Sequence, residues 1–194
     1  MRLEKLLGIT TNEKPLDNLV TDGGYTSIFR EIVCVGDSLS SGEFEHIDEN
    51  GKYTFHDKYE YSWGQFIARK NGLTAYNFSR GGMTAKEYIE SFAESNDFFN
   101  TDKACQCYVI ALGANDLNSD IEIGSVNDIN KEDYTQNKQT FLGFYGAIIS
   151  RYKAISPDAK FFLVSFPRDD SRTTNPKFKT FYNELYETLQ MISM

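Results

Sequence analysis

Four short apolar runs, each separated from the next by a stretch of helical periodicity, constrain this chain more than any other feature. The runs are Glu31 to Gly36 (Glu-Ile-Val-Cys-Val-Gly), Thr74 to Phe78, Cys107 to Leu112 and Lys160 to Phe166, the last closed by Pro167. Short runs rich in β-branched or aromatic residues and bounded by Gly or Pro read as buried strands. Between them, Trp63, Phe66, Ile67 and Lys70 suggest one helix. Thr84 is placed to N-cap another, with Glu87 three residues on to complete a capping box. A longer helix is expected over Gln139 to Ala154, where Phe141, Phe144, Tyr145, Ile148, Ile149 and Tyr152 recur at i, i+3, i+4 spacing. Strands that alternate with helices build βαβ units, so an α/β fold with a mostly parallel sheet is expected.

The length suits that architecture. A chain of 194 residues buries roughly 70% of the surface its unfolded form exposes, so one domain forms without a disulfide or metal staple. Lys and Arg number 20 against 28 Asp and Glu, a net charge of −8. That balance excludes a broad nucleic-acid or anionic-membrane surface, which needs clustered cations. Cys34, Cys105 and Cys107 fall in apolar stretches that read as strands and are expected to be buried free thiols. Cys105-x-Cys107 lacks the second half of a metal site, and no metal or cofactor is called for. Residues 1–24 carry no apolar run of the kind that marks a secretory leader, and no stretch approaches 18 consecutive apolar residues, which points to a cytoplasmic protein.

Two connections are long for such a fold, Glu43 to Ser62 and Asn118 to Asn137, and long connections in α/β domains are more often functional rims. At the far end, Pro176 opens a last amphipathic pattern through Phe178, Phe181, Leu185, Leu189 and Ile192, with no strand after it. Residues 1–30 read as an N-terminal extension to a single domain spanning 1–194.

Open α/β sheets bind ligands at the carboxyl ends of their strands, so the residues following each run carry the most information. They are Gly36-Asp37-Ser38-Leu39-Ser40-Ser41-Gly42, then Asn77-Phe78-Ser79-Arg80-Gly81-Gly82, then Gly113-Ala114-Asn115-Asp116. All are small, polar and Gly-punctuated, as close backbone approach to a ligand requires. No G-x-G-x-x-G follows the first strand, no G-x-x-x-x-G-K occurs, and Ser40 stands where a G-x-S-x-G elbow would have its second Gly.

These three blocks, in order over residues 32–116, resemble the GDSL or SGNH hydrolases, esterases and lipases with a flavodoxin-like three-layer α/β/α fold. The resemblance implies Ser38 as nucleophile. It also implies an oxyanion hole made by the backbone amides of Ser38 and Gly82 and the side-chain amide of Asn115. One such donor is worth about 3 to 4 kcal/mol of barrier. Asp37 and Asp116 are expected in support, accepting backbone hydrogen bonds. Arg80 reads as a surface residue, and the two histidines, His46 and His56, as rim or solvent residues.

The family's fourth block, D-x-x-H, is missing. No histidine follows Asn115, and Asp169 and Asp170 have none three residues on. Two explanations stand side by side: the strand and loop carrying D-x-x-H lie past Met194, or the chain is a noncatalytic relative that binds its ligand through the remaining pocket. The expected activity is ester hydrolysis through an acyl-enzyme on small acyl esters, with carbohydrate acetyl esters as candidates. Tyr53, Phe55, Tyr59, Tyr61 and Trp63 either stack on a sugar or cover the core. The partner is then a small-molecule ester, with no nucleic acid and no membrane, and oligomeric state is left open.

Overall fold

A computed structural model describes residues 24–164 and, beyond them, Pro176, Lys179, Thr180 and Asn183 at single helical positions. Asp169, Asp170 and the apolar stripe expected from Phe178 to Ile192 lie outside the described residues. All four expected strands form: β1 (Glu31–Gly36), β4 (Thr74–Ser79), β5 (Cys107–Ala111) and β6 (Lys160–Leu163). They pair in parallel in the order β4-β1-β5-β6. Counting these strands along the chain, the order is second, first, third, fourth, the flavodoxin-like arrangement.

The continuous apolar character of β1 follows from its central place. Ile32, Val33, Cys34 and Val35 are fully buried, and alternate residues serve opposite faces. Val33 and Val35 join Tyr108 and Ile110 in the larger core, with Phe78, Met83, Tyr88 and Phe98. Ile32 and Cys34 join Ala75, Cys107 and Val109 in a smaller core against Ala68 and Leu73. Each Ile or Val so buried contributes roughly 1.5–3 kcal/mol relative to exposure. Helices cover both faces, which makes the fold a three-layer α/β/α. The three cysteines are buried and unpaired with one another. Cys105 precedes β5 rather than lying within it, and its N–H donates to the Tyr108 hydroxyl at 2.9 Å.

Five helical elements matter for the site: α1 (Ser38–Ser41), α2 (Trp63–Asn71), α3 (opening at Ala85–Glu87), α4 (Ala114–Asn118) and α5 (Phe141–Ile155). α2 starts where Ser62 accepts the Gln65 N–H at 3.3 Å. α3 continues from Ala85–Glu87 through a π-turn, Tyr88–Phe92, into Ala93–Ser95. Thr84 caps it, accepting from Glu87 N at 3.0 Å, but the box is only half made. The Glu87 carboxylate turns instead to Arg80, 2.5 Å away, in a half-exposed ion pair.

Both long connections hold structure that the sequence did not show. Glu43 to Ser62 is not a loop: it folds as an antiparallel hairpin, β2 (Glu43–Ile47) with β3 (Tyr53–Asp57), followed by the 3-10 turn Tyr59–Tyr61. Asn118 to Asn137 lies over α5 rather than standing free as a rim. Phe141 N donates to Glu122 O at 2.8 Å and Asn137 Nδ2 to Gly143 O at 2.8 Å. This cover is why α5 is buried all round from Phe141 to Ile149 instead of showing one apolar stripe. Among the described residues, no helix is long and apolar enough to cross a membrane. The 3-10 turn Gly24–Ile28 leads into Phe29, which packs on the smaller core.

Candidate functional site

The sheet register brings the three blocks together. Gly36, the last residue of β1, stands opposite Ser79 of β4 and Ala111 of β5 on one rung. Ser38, Gly82 and Asn115 therefore leave the sheet two, three and four residues beyond a shared level. They do so around β1, where the strand order reverses and a crevice opens at the strand ends.

Asp37 sets the first turn. It is the N-cap of α1, with extended backbone, and its carboxylate accepts Leu39 N at 3.1 Å. Its carbonyl accepts Ser40 N and Ser41 N at 3.0 and 2.9 Å. Ser38 is thus the first residue of a capped turn, half-buried just past the carboxyl end of β1. Among the described residues, no group hydrogen-bonds its hydroxyl, and its N–H belongs to the helix-start donors that have no acceptor within the helix.

Two bonds lock the second turn to the sheet: Arg80 N donates to Gly36 O at 3.2 Å, and Ser79 Oγ to Cys34 O at 2.7 Å. Gly82 follows in the left-handed region, φ 74°, which a Cβ would strain, with open space where that Cβ would stand. The third block is tied to the second. Asn115 Nδ2 donates to Met83 O at 3.0 Å, which uses one of its two hydrogens and leaves one to donate elsewhere. Both oxygens of Asp116 take Ala85 N at 3.0 Å. Burial pushes the Asp116 carboxyl up to about 6, although backbone donors pull it down and the Asp37 charge adds to the push. Burial raises the Asp37 carboxyl as well.

A cavity of about 590 Å³ opens beside Ser38, with Leu39, Phe44, Lys58, Tyr61 and Trp63 among its walls; Gly82 and Asn115 do not line it. This separates the five aromatics singled out from the sequence. Tyr61 and Trp63 face the cavity, Tyr59 and Trp63 pack on the smaller core, and Tyr53 and Phe55 are exposed on the hairpin. Both histidines are exposed on the same hairpin. His56 stacks on Phe44, with ring centroids 5.5 Å apart, and its Nε2 meets Thr54 Oγ1 at 3.2 Å.

Glu43 and Asp57, neither marked by the sequence, face each other across the hairpin and reach the Gly81 backbone. Burial raises the Glu43 carboxyl, and the charges of Asp57 and Asp37 raise it further. The Asn50-Gly51 pair was the one available sign of this hairpin, since that dipeptide favours a tight β-turn. It would have indicated the turn without indicating that the strands carry carboxylates to the site.

The model of the family described as GDSL-like Lipase/Acylhydrolase matches residues 32–192. The chain belongs to that family. This GDSL-like chain also resembles solved structures. One is an active-site mutant of a family two carbohydrate esterase from Clostridium thermocellum, at 17% identity and TM-score 0.58, covering 84% of this chain and 50% of that one. The same esterase in complex with cellohexaose aligns at 18% identity and TM-score 0.55, covering 85% and 51%. A GDSL-like lipase from Bacteroides uniformis aligns at 14% identity and TM-score 0.56, covering 82% and 79%. These likenesses bear on the fold, and this chain spans about half the length of the two esterase structures. No curated protein matches the sequence.

Proposed function

We propose that this GDSL-like chain carries the nucleophile and oxyanion hole of a serine ester hydrolase acting on small acyl esters, among them acetyl esters of carbohydrates. The observation that carries this reading is the shared rung at Gly36, Ser79 and Ala111, from which all three blocks emerge. Ser38 Oγ attacks the ester carbonyl carbon and gives up its proton to a base. The carbonyl oxygen becomes an oxyanion that takes the N–H groups of Ser38 and Gly82 and the free Asn115 Nδ2 hydrogen. Asn115 suits this because it donates without a charge to desolvate. Collapse expels the alcohol with a proton and leaves an acyl-Ser38 ester, which water then hydrolyses. The aromatic walls at Phe44, Tyr61 and Trp63 favour a sugar face on the leaving side.

A second reading, a ligand-binding module on the same scaffold, is favoured by one observation: both histidines lie upstream of Asn115 and neither bonds Ser38 among the described residues. Labelling with a fluorophosphonate separates the two. We expect slow, stoichiometric modification of Ser38, read by peptide mass, that is lost in S38A. Modification that persists unchanged in S38A, or none in the wild type, would sink the hydrolase reading and leave the binding module.

A further inference from the structure

The hairpin delivers one side chain, Asp57, to two of the three turns of the site. Its Oδ1 accepts the Ser41 hydroxyl at 2.5 Å, and its Oδ2 accepts the Gly81 N–H at 3.3 Å. Ser41 is buried and closes the helical turn that begins at Ser38; its hydroxyl also lies 3.3 Å from the Ser38 carbonyl. Gly81 directly precedes Gly82. One carboxylate therefore spans from the end of the Ser38 turn to the start of the Gly82 turn.

The hairpin that carries Asp57 is itself fixed. Lys58 N donates to Gly42 O at 3.1 Å, anchoring the strand just past Asp57 to the residue that ends α1. Glu43 stands opposite Asp57 in the β2–β3 register, and a Cβ on Gly81 would collide with its carboxylate. The Gly81 backbone is thus held by the Asp57 hydrogen bond, with the Glu43 carboxylate lying close beside it.

We propose that Asp57 is a positioning residue, whose carboxylate sets the spacing between the Ser38 hydroxyl and the Gly82 amide. This rests on the acyl-transfer reading of Ser38 above. Asp57 is exposed, so its bonds compete with water and contribute little net stability. Their value is geometric, because a displacement of about 1 Å between a nucleophile and its oxyanion donor costs up to ~100-fold in rate.

The test follows fluorophosphonate inactivation of the full chain at several probe concentrations, together with amide hydrogen exchange. In D57A we expect the maximal inactivation rate constant to fall roughly 10- to 100-fold with the half-saturating concentration little changed. Exchange at the Gly81 amide should speed up about tenfold or more, while the β5 amides keep their protection. D57N, which keeps one acceptor oxygen, should recover part of both losses and guards against a variant that fails to fold. Wild-type inactivation with unchanged Gly81 exchange in D57A would overturn the proposal. So would a loss of protection spread equally over β5, which would make Asp57 a general stabiliser. If wild-type Ser38 is not labelled at all, the hydrolase reading fails separately, and with it the positioning role; Gly81 exchange then reports only whether the bridge exists.

Discussion

Among single residues, Asp116 has the most defined energetic consequence. It is fully enclosed, accepts Ala85 N with both oxygens, and is raised from 3.8 to about 6 mainly by burial. A carboxyl whose native value exceeds its unfolded one binds its proton more tightly when folded. Its contribution to stability is therefore greatest when protonated and is lost as pH rises from about 4 through about 6, at a cost of roughly 3 kcal/mol. Urea unfolding at about pH 4.5 and about pH 7 should show wild type losing more stability with rising pH than D116N, whose amide oxygen keeps the Ala85 bond without the charge. Equal losses in both would place the pH dependence at Asp37 or Glu43, which shift in the same direction. At this scale the sequence was informative where candidate residues and strand ends coincide. The blocks that hold Ser38, Gly82 and Asn115 could be singled out because each follows an apolar run within four residues, while the choice of those three within the blocks came from the resemblance. Asp57 could not, since its partners Ser41 and Gly81 lie 16 and 24 residues away and nothing in the intervening sequence marks the contact.

Among elements, legibility tracked burial. The strands of the parallel sheet were plain because their apolar runs are enclosed, and β1 most so. The β2–β3 hairpin is exposed on both sides, with Phe44, Ile47, Tyr53 and Phe55 each roughly half exposed, so neither face imposes the alternation that betrays a strand. The cover over α5 was equally hidden, because its apolar residues Ile121, Ile123 and Ile129 are scattered among polar ones, and hydrogen bonds to backbone and one buried polar cluster hold the rest. That cluster is testable. Thr140 Oγ1 accepts Gly143 N at 3.2 Å and donates to Asp128 Oδ2 at 3.0 Å, and Asp128 also takes Ser125 N at 3.0 Å and Lys138 Nζ at 2.8 Å. T140A removes the cap of α5 and leaves a buried carboxylate one donor short, so it should cost about 2 kcal/mol in urea unfolding. T140S keeps both bonds and should cost less than about 1 kcal/mol. If the two variants unfold alike, the hydroxyl is not what anchors the cover.

For the molecule as a whole, strand order was not legible from periodicity. It entered through the resemblance, and the pairing β4-β1-β5-β6 bears it out. Periodicity gives strands and helices but not which strands are neighbours, and the three blocks meet only because β4 and β5 flank β1. Acyl transfer at Ser38 also needs a proton acceptor. Ser38 has a proton to lose, and the chain's two histidines sit exposed on a hairpin, one of them engaged with Thr54. Removing the histidine of a serine nucleophile costs on the order of 10⁶ in rate, yet an oxyanion hole and binding alone retain roughly 10³ to 10⁴ over water. The 194-residue chain should therefore hydrolyse p-nitrophenyl acetate slowly. Free imidazole, a base that titrates near neutral pH, should raise that rate in the wild type well beyond its effect on S38A, because it can take the Ser38 proton in place of a side chain. Fast turnover without imidazole that is abolished by H46A or H56A would show that the hairpin supplies the base. Imidazole acceleration equal in wild type and S38A would show that Ser38 takes no part.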